Sequence, residues 1–328
     1  MNNNDFKELK NSKVIVTGGA GFIGSNLCDA LVSLGANVVC LDNFSTGNIN
    51  NIKHLLGRKE FTLVEGDLRD FDLVLQITCG ADYIFHEAAW GSVPRSIEMP
   101  QFYEINNVSG TLNVFEAAKI NHVKKVVFAS SSSVYGDSVL LPKKEGQEGK
   151  TLSPYALTKK IDEEYARLYY DLYKLKTIGL RYFNVFGKRQ NPNGPYAAVI
   201  PLFIKSCLTN EQVYINGDGT YSRDFTYVDN VVEANLKACL FSDYKSFGKS
   251  FNIACGERTT ISSLFFEIAS LLNCQSKPIY REARKGDVPH SNADISAAKE
   301  AFGYFPTCSF KEGVKLTIKW YKEQKYEQ

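Results

Sequence analysis

The chain has 328 residues, enough for about two domains. It is 44% hydrophobic and 23% charged with a formal net charge of +2, so it offers no strong field for nucleic acid or a membrane surface. The eight cysteines form no C-x-x-C pair and the four histidines show no ligand spacing, which predicts neither a disulfide framework nor a metal site.

The first residues, Met1 to Lys10, are polar and lack the apolar core of a signal peptide. The longest apolar run, residues 196–204, contains Pro201 and is far too short to span a bilayer. Together with cysteines that are typical of reduced thiols, these features predict a cytoplasmic protein.

The first predicted strand, Lys13–Thr17, leads into the glycine-rich segment GGAGFIG and an amphipathic stretch that ends at Leu34. Strand, glycine turn and helix in this order are typical of a dinucleotide-binding fingerprint. Gly18 permits the tight turn, Gly21 lets the backbone approach a pyrophosphate, and Gly24 lets the helix pack close to the strand. The pyrophosphate is then expected at the N-terminus of the helix, where free N–H groups favour negative charge.

The second predicted strand, Asn37–Leu41, ends at Asp42. Its distance from Gly24 along the chain is close to the roughly 20 residues at which such folds place the acid that contacts the adenosine ribose. A carboxylate there would repel a 2′-phosphate, so the sequence favours NAD over NADP. The glycine spacing G-x-x-G-x-x-G also resembles that of the short-chain dehydrogenase/reductase superfamily.

Strand and helix alternate through the rest of the first half. The predicted strands continue with Phe61–Glu65, Tyr83–His86, Val126–Ala129 and Thr177–Arg181, and the predicted helices include Asn106–Ile120 and Tyr155–Tyr173. This alternation predicts an α/β fold with a Rossmann-type, doubly wound parallel sheet. Ligands of such sheets bind beyond the carboxyl ends of the strands.

From about Asn184 the segments become shorter and are punctuated by Pro and Gly. Helical patterns lie at Ala198–Leu208, Asn230–Phe241, Ile261–Leu271 and Phe310–Gln324. We expect residues 1–183 to form the NAD-binding domain, with a short N-terminal extension. Residues 184–328 are expected to form a smaller, irregular α/β substrate lobe, with part of residues 224–255 packing back on the first domain.

Tyr155 and Lys159 stand four residues apart at the start of a predicted helix, so their side chains share one face. A free tyrosine has a pKa of about 10, and a nearby ammonium would stabilise its phenolate and make it a usable base. Tyr-x-x-x-Lys alone occurs often by chance on solvated helices. Here Ser131, in a serine run after a predicted strand, could hydrogen-bond the substrate oxygen that Tyr155 deprotonates, so we predict a catalytic group of Ser131, Tyr155 and Lys159.

Longer motifs carry a more specific resemblance. TGGAGFIGSN, LDNFSTG, SSSSVYGD, SPYALTK and RYFNVFG resemble the extended short-chain dehydrogenase/reductases that modify nucleotide sugars, over nearly the whole chain. GSVPRSIEMP, KRQNPNGPYAAVIP, VYINGDGTYSRDFTYV and GDVPHSNADIS are similar to bacterial UDP-N-acetylglucosamine 4-epimerases of the O-antigen pathway type.

The resemblance implies NAD as the cofactor and assigns residues to each of its parts. The pyrophosphate would be held by Gly18, Gly21, Phe22, Ile23 and Gly24, and the adenosine ribose by Asp42, Asn43, Ser45, Thr46 and Gly47. Asp67 and Leu68 would flank the adenine, Ala88 and Ala89 would line the cleft, and Lys159 would hold the nicotinamide ribose beside Tyr155.

The resemblance also implies a UDP-sugar site. Asn184, Arg223 and Arg284 would contact the diphosphate, Ala198, Val199, Tyr214 and Asn216 the uridine, and Asp287 a ribose hydroxyl. Gly91, Ser92, Arg95, Ser131, Ser132 and Ser291 would surround the sugar. Hexose-only relatives carry a tyrosine at the position of Ser291, so a serine leaves room for an N-acetyl group; the alternative is an indifferent small residue.

The expected function is reversible inversion at C4 of UDP-N-acetylglucosamine and UDP-N-acetylgalactosamine through a 4-keto intermediate, with UDP-glucose and UDP-galactose as further substrates, in polysaccharide biosynthesis. UDP-glucuronate 4-epimerases share the serine run, so this motif does not exclude that alternative function. A 4,6-dehydratase is disfavoured because Ser132 and Ser133 stand where that class carries Asp-Glu. A non-catalytic NAD-binding regulator is disfavoured because Ser131, Tyr155 and Lys159 are all present.

The helices at 106–120 and 155–173 resemble the family's dimer-forming pair, which implies a homodimer.

Overall fold

The computed structural model describes residues 3–193, 197–283 and 288–324. Its strands are β1 Lys13–Thr17, β2 Asn37–Asp42, β3 Phe61–Glu65, β4 Tyr83–His86, β5 Lys125–Ser131, β6 Thr177–Tyr182, β7 Val185–Phe186, β8 Tyr214–Asn216, β9 Ser222–Arg223, β10 Thr226–Tyr227, β11 Lys249–Ile253, β12 Thr259–Thr260 and β13 Ile279–Arg281. Its α-helices are α1 Phe22–Ser33, α2 Phe71–Thr78, α3 Val93–Glu98, α4 Pro100–Tyr103, α5 Gly110–Ile120, α6 Pro154–Tyr173, α7 Val199–Thr209, α8 Val228–Phe241, α9 Ile261–Leu272, α10 Ser296–Phe302 and α11 Phe310–Glu323.

Seven strands form one parallel sheet in the order β11-β6-β5-β4-β1-β2-β3. The central strands are buried on both faces and rich in β-branched residues, as in Val126–Val127 of β5, because helices cover each side of a parallel sheet. All six predicted strands are present, and β11 from the second half adds to the edge at β6. The predicted α/β class with a Rossmann-type sheet is confirmed.

Two apolar layers enclose this sheet. On one face, α1, α8 and α10 contribute side chains such as Leu31, Val231 and Phe302 to a single buried cluster. On the other face, α2, α5 and α6 contribute side chains such as Val74 and Phe115. The helices therefore hold the strand ends in register, and the carboxyl ends of the strands remain open to form a site.

A third cluster lies in the second half of the chain, where α7, α9 and α11 pack together through residues such as Phe203, Phe265 and Val314. Three two-stranded pairs, β10–β7, β12–β9 and β13–β8, border this cluster. Helix α8 and strand β11 instead pack on the first sheet; the division at residue 183 stays a prediction. In the described ranges, no helix has the length and apolarity needed to cross a bilayer.

Several boundaries differ from the predictions, and two of the differences bear on the site. The predicted helix at 106–120 begins inside a π-helical segment, Glu104–Ser109, which connects α4 to α5. Strand β5 continues to Ser131, so the serine run is divided between the strand and a 3-10 turn, Ser132–Tyr135. The Ser131 hydroxyl oxygen accepts a hydrogen bond from the Ser133 backbone N–H at 3.1 Å and so starts that turn.

Candidate active site

A cavity of about 990 Å³ opens at the carboxyl ends of the parallel strands. Most of the predicted residues lie on its wall: Gly18, Gly21, Phe22, Ile23, Gly24, Asp42, Asn43, Ser45, Thr46, Asp67, Leu68, Ala88, Ala89, Gly91, Ser131, Ser132, Tyr155, Lys159, Asn184, Arg223 and Ser291. The sheet topology thus brings together segments that are far apart in the sequence, as expected for this class of sheet.

The glycine turn fits a pyrophosphate. Gly18 has a φ of +67°, and a Cβ there would come within 2.8 Å of the Ala88 backbone. A Cβ on Gly24 would lie 2.2 Å from the Gly18 carbonyl oxygen. Gly21 is the N-cap of α1 and provides no side-chain cap, so the first N–H groups of a twelve-residue helix face a backbone surface that an anion can approach.

Asp42 connects the glycine turn to the loop after β2 by hydrogen bonds. Its Oδ2 accepts a hydrogen bond from the Ala20 N–H at 2.9 Å, and its Oδ1 accepts one from the Phe44 N–H at 2.8 Å. Burial raises the pKa of Asp42, against these two bonds. Gly47 is not on the cavity wall, but a Cβ there would lie 2.7 Å from Asp42 Oδ1. A carboxylate has about four lone-pair sites, so Asp42 retains capacity for a ribose hydroxyl.

Asp67, expected beside the adenine, already has a partner that the sequence did not suggest. Arg69 donates to it through Nε at 2.9 Å and through a terminal nitrogen at 2.8 Å. Asn43 donates to the same carboxylate at 2.8 Å. The Arg69 bonds hold the pKa of Asp67 well below its usual range. Asp67 is therefore ionised at neutral pH, and its bonds to Arg69 and Asn43 fix its orientation on the cavity wall.

The start of α6 positions the predicted catalytic pair. Ser153 is the N-cap, and its hydroxyl oxygen accepts a hydrogen bond from the Ala156 N–H at 3.1 Å, while Pro154 occupies the first turn. Tyr155 and Lys159 follow one turn apart and both line the cavity, as does Ser131 at the end of β5. The three predicted catalytic residues therefore lie on one wall.

Lys159 has a buried carboxylate partner, Asp162, which the sequence analysis missed. The Lys159 ammonium lies 3.3 Å from Asp162 Oδ2, and the two side chains are only 2% and 1% exposed. Burial raises the pKa of Asp162 to about 7 against the opposing effect of Lys159. An acid three residues after the lysine on a helix was the available signal, since such pairs are neighbours.

A neutral histidine in the core connects the elements that surround Lys159. His86 is fully buried, with one ring nitrogen 2.7 Å from the Thr17 hydroxyl and the other 2.8 Å from the Thr111 hydroxyl. Burial, aided by the Lys159 charge, lowers the pKa of His86 to about 3. The imidazole is therefore uncharged at neutral pH and links β1, β4 and α5.

The second half of the chain supplies the opposite wall. Asn184 and Arg223 line both the main cavity and a second cavity of about 370 Å³. The second cavity is also lined by Val199, Tyr214 and Asn216. Two of the three residues expected at the diphosphate, Asn184 and Arg223, thus border both the cavity with the catalytic pair and the cavity with three of the four residues expected at the uridine.

A buried carboxylate, Asp224, connects separate loops of this wall by hydrogen bonds. The sequence did not predict this role. Its Oδ1 accepts a hydrogen bond from the Cys255 N–H at 2.9 Å, and its Oδ2 accepts bonds from Gly256 at 3.0 Å and Ala293 at 3.2 Å. Burial raises the pKa of Asp224 to about 6, against these backbone bonds. Ser291 sits on the same wall because its N–H donates to the Ser222 carbonyl at 3.0 Å.

Some predicted residues lie elsewhere. Ser92 caps α3 by accepting the Arg95 N–H at 3.3 Å, and the Arg95 guanidinium lies over the Trp90 ring, 4.3 Å from its centroid. Ala198 is the exposed N-cap of α7 and lines neither cavity. Arg284 and Asp287 lie outside the described residues. Trp90 and Glu87, both on the wall of the main cavity, were missed.

The parallel sheet, the glycine turn and the tyrosine–lysine pair define a nucleotide-binding enzyme of the short-chain dehydrogenase/reductase type. The model of the NAD dependent epimerase/dehydratase family matches residues 14–254, and the chain belongs to this family.

The comparisons agree over almost the full length. The chain is 40% identical to a putative UDP-glucose 4-epimerase of Methanocaldococcus jannaschii, over 94% of this chain and 98% of that protein. A solved UDP-N-acetylglucosamine 4-epimerase of Methanobrevibacter ruminantium, in complex with UDP-N-acetylmuramic acid, is 41% identical with a TM-score of 0.91, covering 96% and 99% of the two chains.

A third relative is a UDP-glucuronic acid 4-epimerase of Bacillus cereus, solved with UDP-glucuronic acid and NAD. It is 30% identical with a TM-score of 0.88, covering 95% of this chain and 99% of that one. The predicted class, an NAD-dependent nucleotide-sugar 4-epimerase, and its NAD cofactor are confirmed.

Proposed function

We propose that the chain inverts C4 of UDP-N-acetylglucosamine and UDP-N-acetylgalactosamine, and that it accepts UDP-glucose and UDP-galactose as further substrates. Ser291 carries the proposal, because this small side chain stands on the wall of the main cavity beside the segment that holds Arg223. An acetamido group needs both space and a hydrogen-bond partner, and a serine provides them where a tyrosine ring would fill the space.

The proposed mechanism uses the residues on the two facing walls. Bound NAD supplies a reversible hydride acceptor for C4. Tyr155, as the phenolate, takes the proton of the C4 hydroxyl and later returns it, and Lys159 stabilises that phenolate. The Ser131 hydroxyl hydrogen-bonds the same sugar oxygen. Asn184 and Arg223 hold the diphosphate, about which the 4-keto sugar turns to present its other face.

The positions of Ser132 and Ser133 on the cavity wall argue against elimination. A 4,6-dehydratase needs an acid–base pair for C5 and C6, and hydroxyls at these two positions cannot perform that task at neutral pH. The 4-keto sugar is therefore returned to the hydroxyl form without loss of water.

The test is direct. The purified protein is incubated separately with UDP-N-acetylglucosamine, UDP-glucose and UDP-glucuronate, and C4 inversion is followed by chromatography of the products. We expect the highest kcat/KM with UDP-N-acetylglucosamine. A higher value with UDP-glucose or UDP-glucuronate would reject the amino-sugar assignment but not the epimerase class.

One observation favours UDP-glucuronate as the second candidate substrate. Lys143 lines the main cavity and is only 4% exposed, and its ammonium donates to the Ser138 carbonyl. No carboxylate lies within ion-pair distance of it among the described residues. Burial lowers the pKa of Lys143, and a sugar carboxylate would compensate for its charge.

Replacement of Lys143 by methionine separates the two candidates. If the enzyme serves UDP-glucuronate, Lys143→Met lowers kcat/KM for that substrate selectively. If it serves UDP-N-acetylglucosamine, the same variant has little effect on either the preferred substrate or the ranking of the others.

We also propose that the chain forms a homodimer through α5 and α6. Helix α6 exposes Leu157, Leu168, Leu172 and Tyr173, the last two at 65% and 52%, and such apolar rows on one helix mark association surfaces. Light scattering on the wild type should give twice the monomer mass. Leu172→Glu should give a monomer, while Val139→Glu, at an exposed apolar position outside these helices, should leave the dimer intact.

A further inference from the structure

Glu87 is a carboxylate on the wall of the main cavity that the proposed mechanism does not use. It follows β4 directly and precedes Ala88, in the segment that crosses the glycine turn. A Cβ on Gly18 would come within 3.1 Å of the Glu87 carbonyl carbon. The residue therefore lies where a dinucleotide passes over the sheet.

The hydrogen bonds of Glu87 leave its charge uncompensated. Oε1 accepts a bond from the Tyr182 hydroxyl at 2.7 Å, and Asn235 Nδ2 donates to that same hydroxyl at 2.8 Å. Oε2 is buried without a partner among the described residues. The nearby Lys159 ammonium is paired with Asp162 instead, and Glu87 has no ion pair within the ranges that the structure describes.

If NAD binds along the strand ends as the sequence predicts, the strand order puts Glu87 under its nicotinamide half. Asp42 and Asp67 mark the adenosine end over β2 and β3, and the glycine turn after β1 marks the pyrophosphate. The remaining half must extend the other way, over β4, β5 and β6. Tyr182 at the end of β6 is the register partner of Ser131, so the Glu87–Tyr182 bond spans that region.

A buried carboxylate without a cation is costly, and a cation that arrives next to it is stabilised. Burial raises the pKa of Glu87 to about 7, against the effects of the Tyr182 bond and the Lys159 charge. The oxidised nicotinamide ring carries a positive charge and the reduced ring carries none. An adjacent carboxylate consequently distinguishes the two forms of the same cofactor.

We propose that Glu87 is a positioning and charge-balancing residue for the cofactor: its carboxylate stabilises the cationic, oxidised nicotinamide over the neutral, reduced one. This preference keeps the resident cofactor oxidised between turnovers, which an enzyme that must begin each cycle by oxidising its substrate requires. The inference depends on the NAD cofactor and not on which sugar is bound.

The test measures cofactor preference without any sugar. Purified holoprotein is dialysed against mixtures of NAD and NADH at fixed ratios, and the bound ratio is read from NADH fluorescence and total nucleotide after release. We expect the wild type to bind NAD preferentially. Glu87→Gln should shift the ratio of dissociation constants toward NADH by at least about tenfold, the change that 1.4 kcal/mol produces.

The matched control is Asp67→Asn, at the expected adenosine end, where NAD and NADH are identical. It should change the affinities for NAD and NADH by the same factor and leave their ratio unaltered. Glu87→Leu removes the charge and the unpaired Oε2 at this position, and it is the second variant to measure if the glutamine variant does not fold. A ratio that stays within twofold of wild type in either Glu87 variant, or an equal loss of affinity for both forms, would overturn the inference whichever sugar the enzyme prefers.

Discussion

The cofactor side and the sugar side of the main cavity are built in different ways. The cofactor side consists of short contiguous motifs, each at the carboxyl end of one strand, and backbone atoms form much of it: the glycine turn at 18–24 and the Ala88 segment are in contact. The sugar side is assembled from single side chains on Asn184, Arg223 and Ser291, which lie on separate segments that hydrogen bonds between loops help to bring together.

This difference has a consequence for mutation. Where backbone meets backbone, even one added methyl group collides with main-chain atoms, which can shift only at a cost in free energy. Where separate loops are joined by a few polar contacts, as at Asp224, loss of one contact displaces a wall without disturbing the sheet. Cofactor binding and sugar binding should therefore be separable by substitution.

The largest effect is expected at Tyr155, where the two sides meet. Tyr155→Phe removes the only proposed base but keeps the ring and its edge-on contact with Tyr103, whose centroid is 6.3 Å away. We expect kcat to fall by roughly 10³-fold, within the range for loss of general-base catalysis, with NAD binding and melting temperature nearly unchanged. Steady-state kinetics and NAD content of the purified variant test this.

Tyr103→Phe is the matched control, because it removes a neighbouring phenol hydroxyl from the other partner of the same aromatic pair. It should keep activity within a few-fold of wild type. Activity of Tyr155→Phe at that same level would show that another group removes the proton.

The next largest effect tests the rigidity of the cofactor side. In Gly24→Ala the new Cβ would lie 2.2 Å from the Gly18 carbonyl oxygen and 2.9 Å from Gly19 Cα, so the turn must shift at a cost of about 1–3 kcal/mol. We expect NAD affinity to fall by at least about tenfold and up to a hundredfold, measured by calorimetry. Gly91→Ala, where a Cβ meets nothing within 4 Å, should bind NAD normally; equal losses in the two variants would contradict the contrast.

The same contrast explains what the sequence can predict. The glycine turn, Asp42 and the Tyr155–Lys159 pair follow from local pattern, because spacing along one strand or helix fixes their relative positions. Glu87 and Asp224 could not be recognised as parts of the site, because their importance depends on burial and on partners from distant segments. Asp162 had a local signal, its spacing from Lys159, but the burial of that pair is set by the fold. The position of Ala198 illustrates the limit: the resemblance places it at the uridine, but its side chain is exposed at the N-cap of α7.

A smaller effect is expected when the sugar wall alone is loosened. In Asp224→Asn an amide N–H₂ must face one or two backbone N–H donors, because Cys255, Gly256 and Ala293 all donate to this side chain. Bonds to charged groups contribute about 1.5–3 kcal/mol each, so we expect KM for the UDP-sugar to rise about 10- to 100-fold while NAD affinity is unchanged. Asp218→Asn, on an exposed turn of the same lobe, should keep the wild-type KM, and a parallel loss of NAD affinity in Asp224→Asn would argue against separable sides.

The smallest effect is a change of preference with little change in overall activity. Ser291→Tyr adds a ring where we place the acetamido group, so the steric cost falls on the N-acetylated sugar and not on a plain hexose, which has only a hydroxyl at C2. Selectivity is a difference between two transition-state free energies, and the ratio of kcat/KM values measures it. A misplaced ring costs on the order of 1–3 kcal/mol, and each 1.4 kcal/mol is tenfold, so the UDP-N-acetylglucosamine to UDP-glucose ratio of kcat/KM values should fall by about tenfold or more.

Ser291→Ala is the control for loss of the hydroxyl alone and should lower the ratio less. Equal losses for both sugars in Ser291→Tyr would reduce Ser291 to a packing residue, and an unchanged ratio would place the acetamido pocket on another part of the wall.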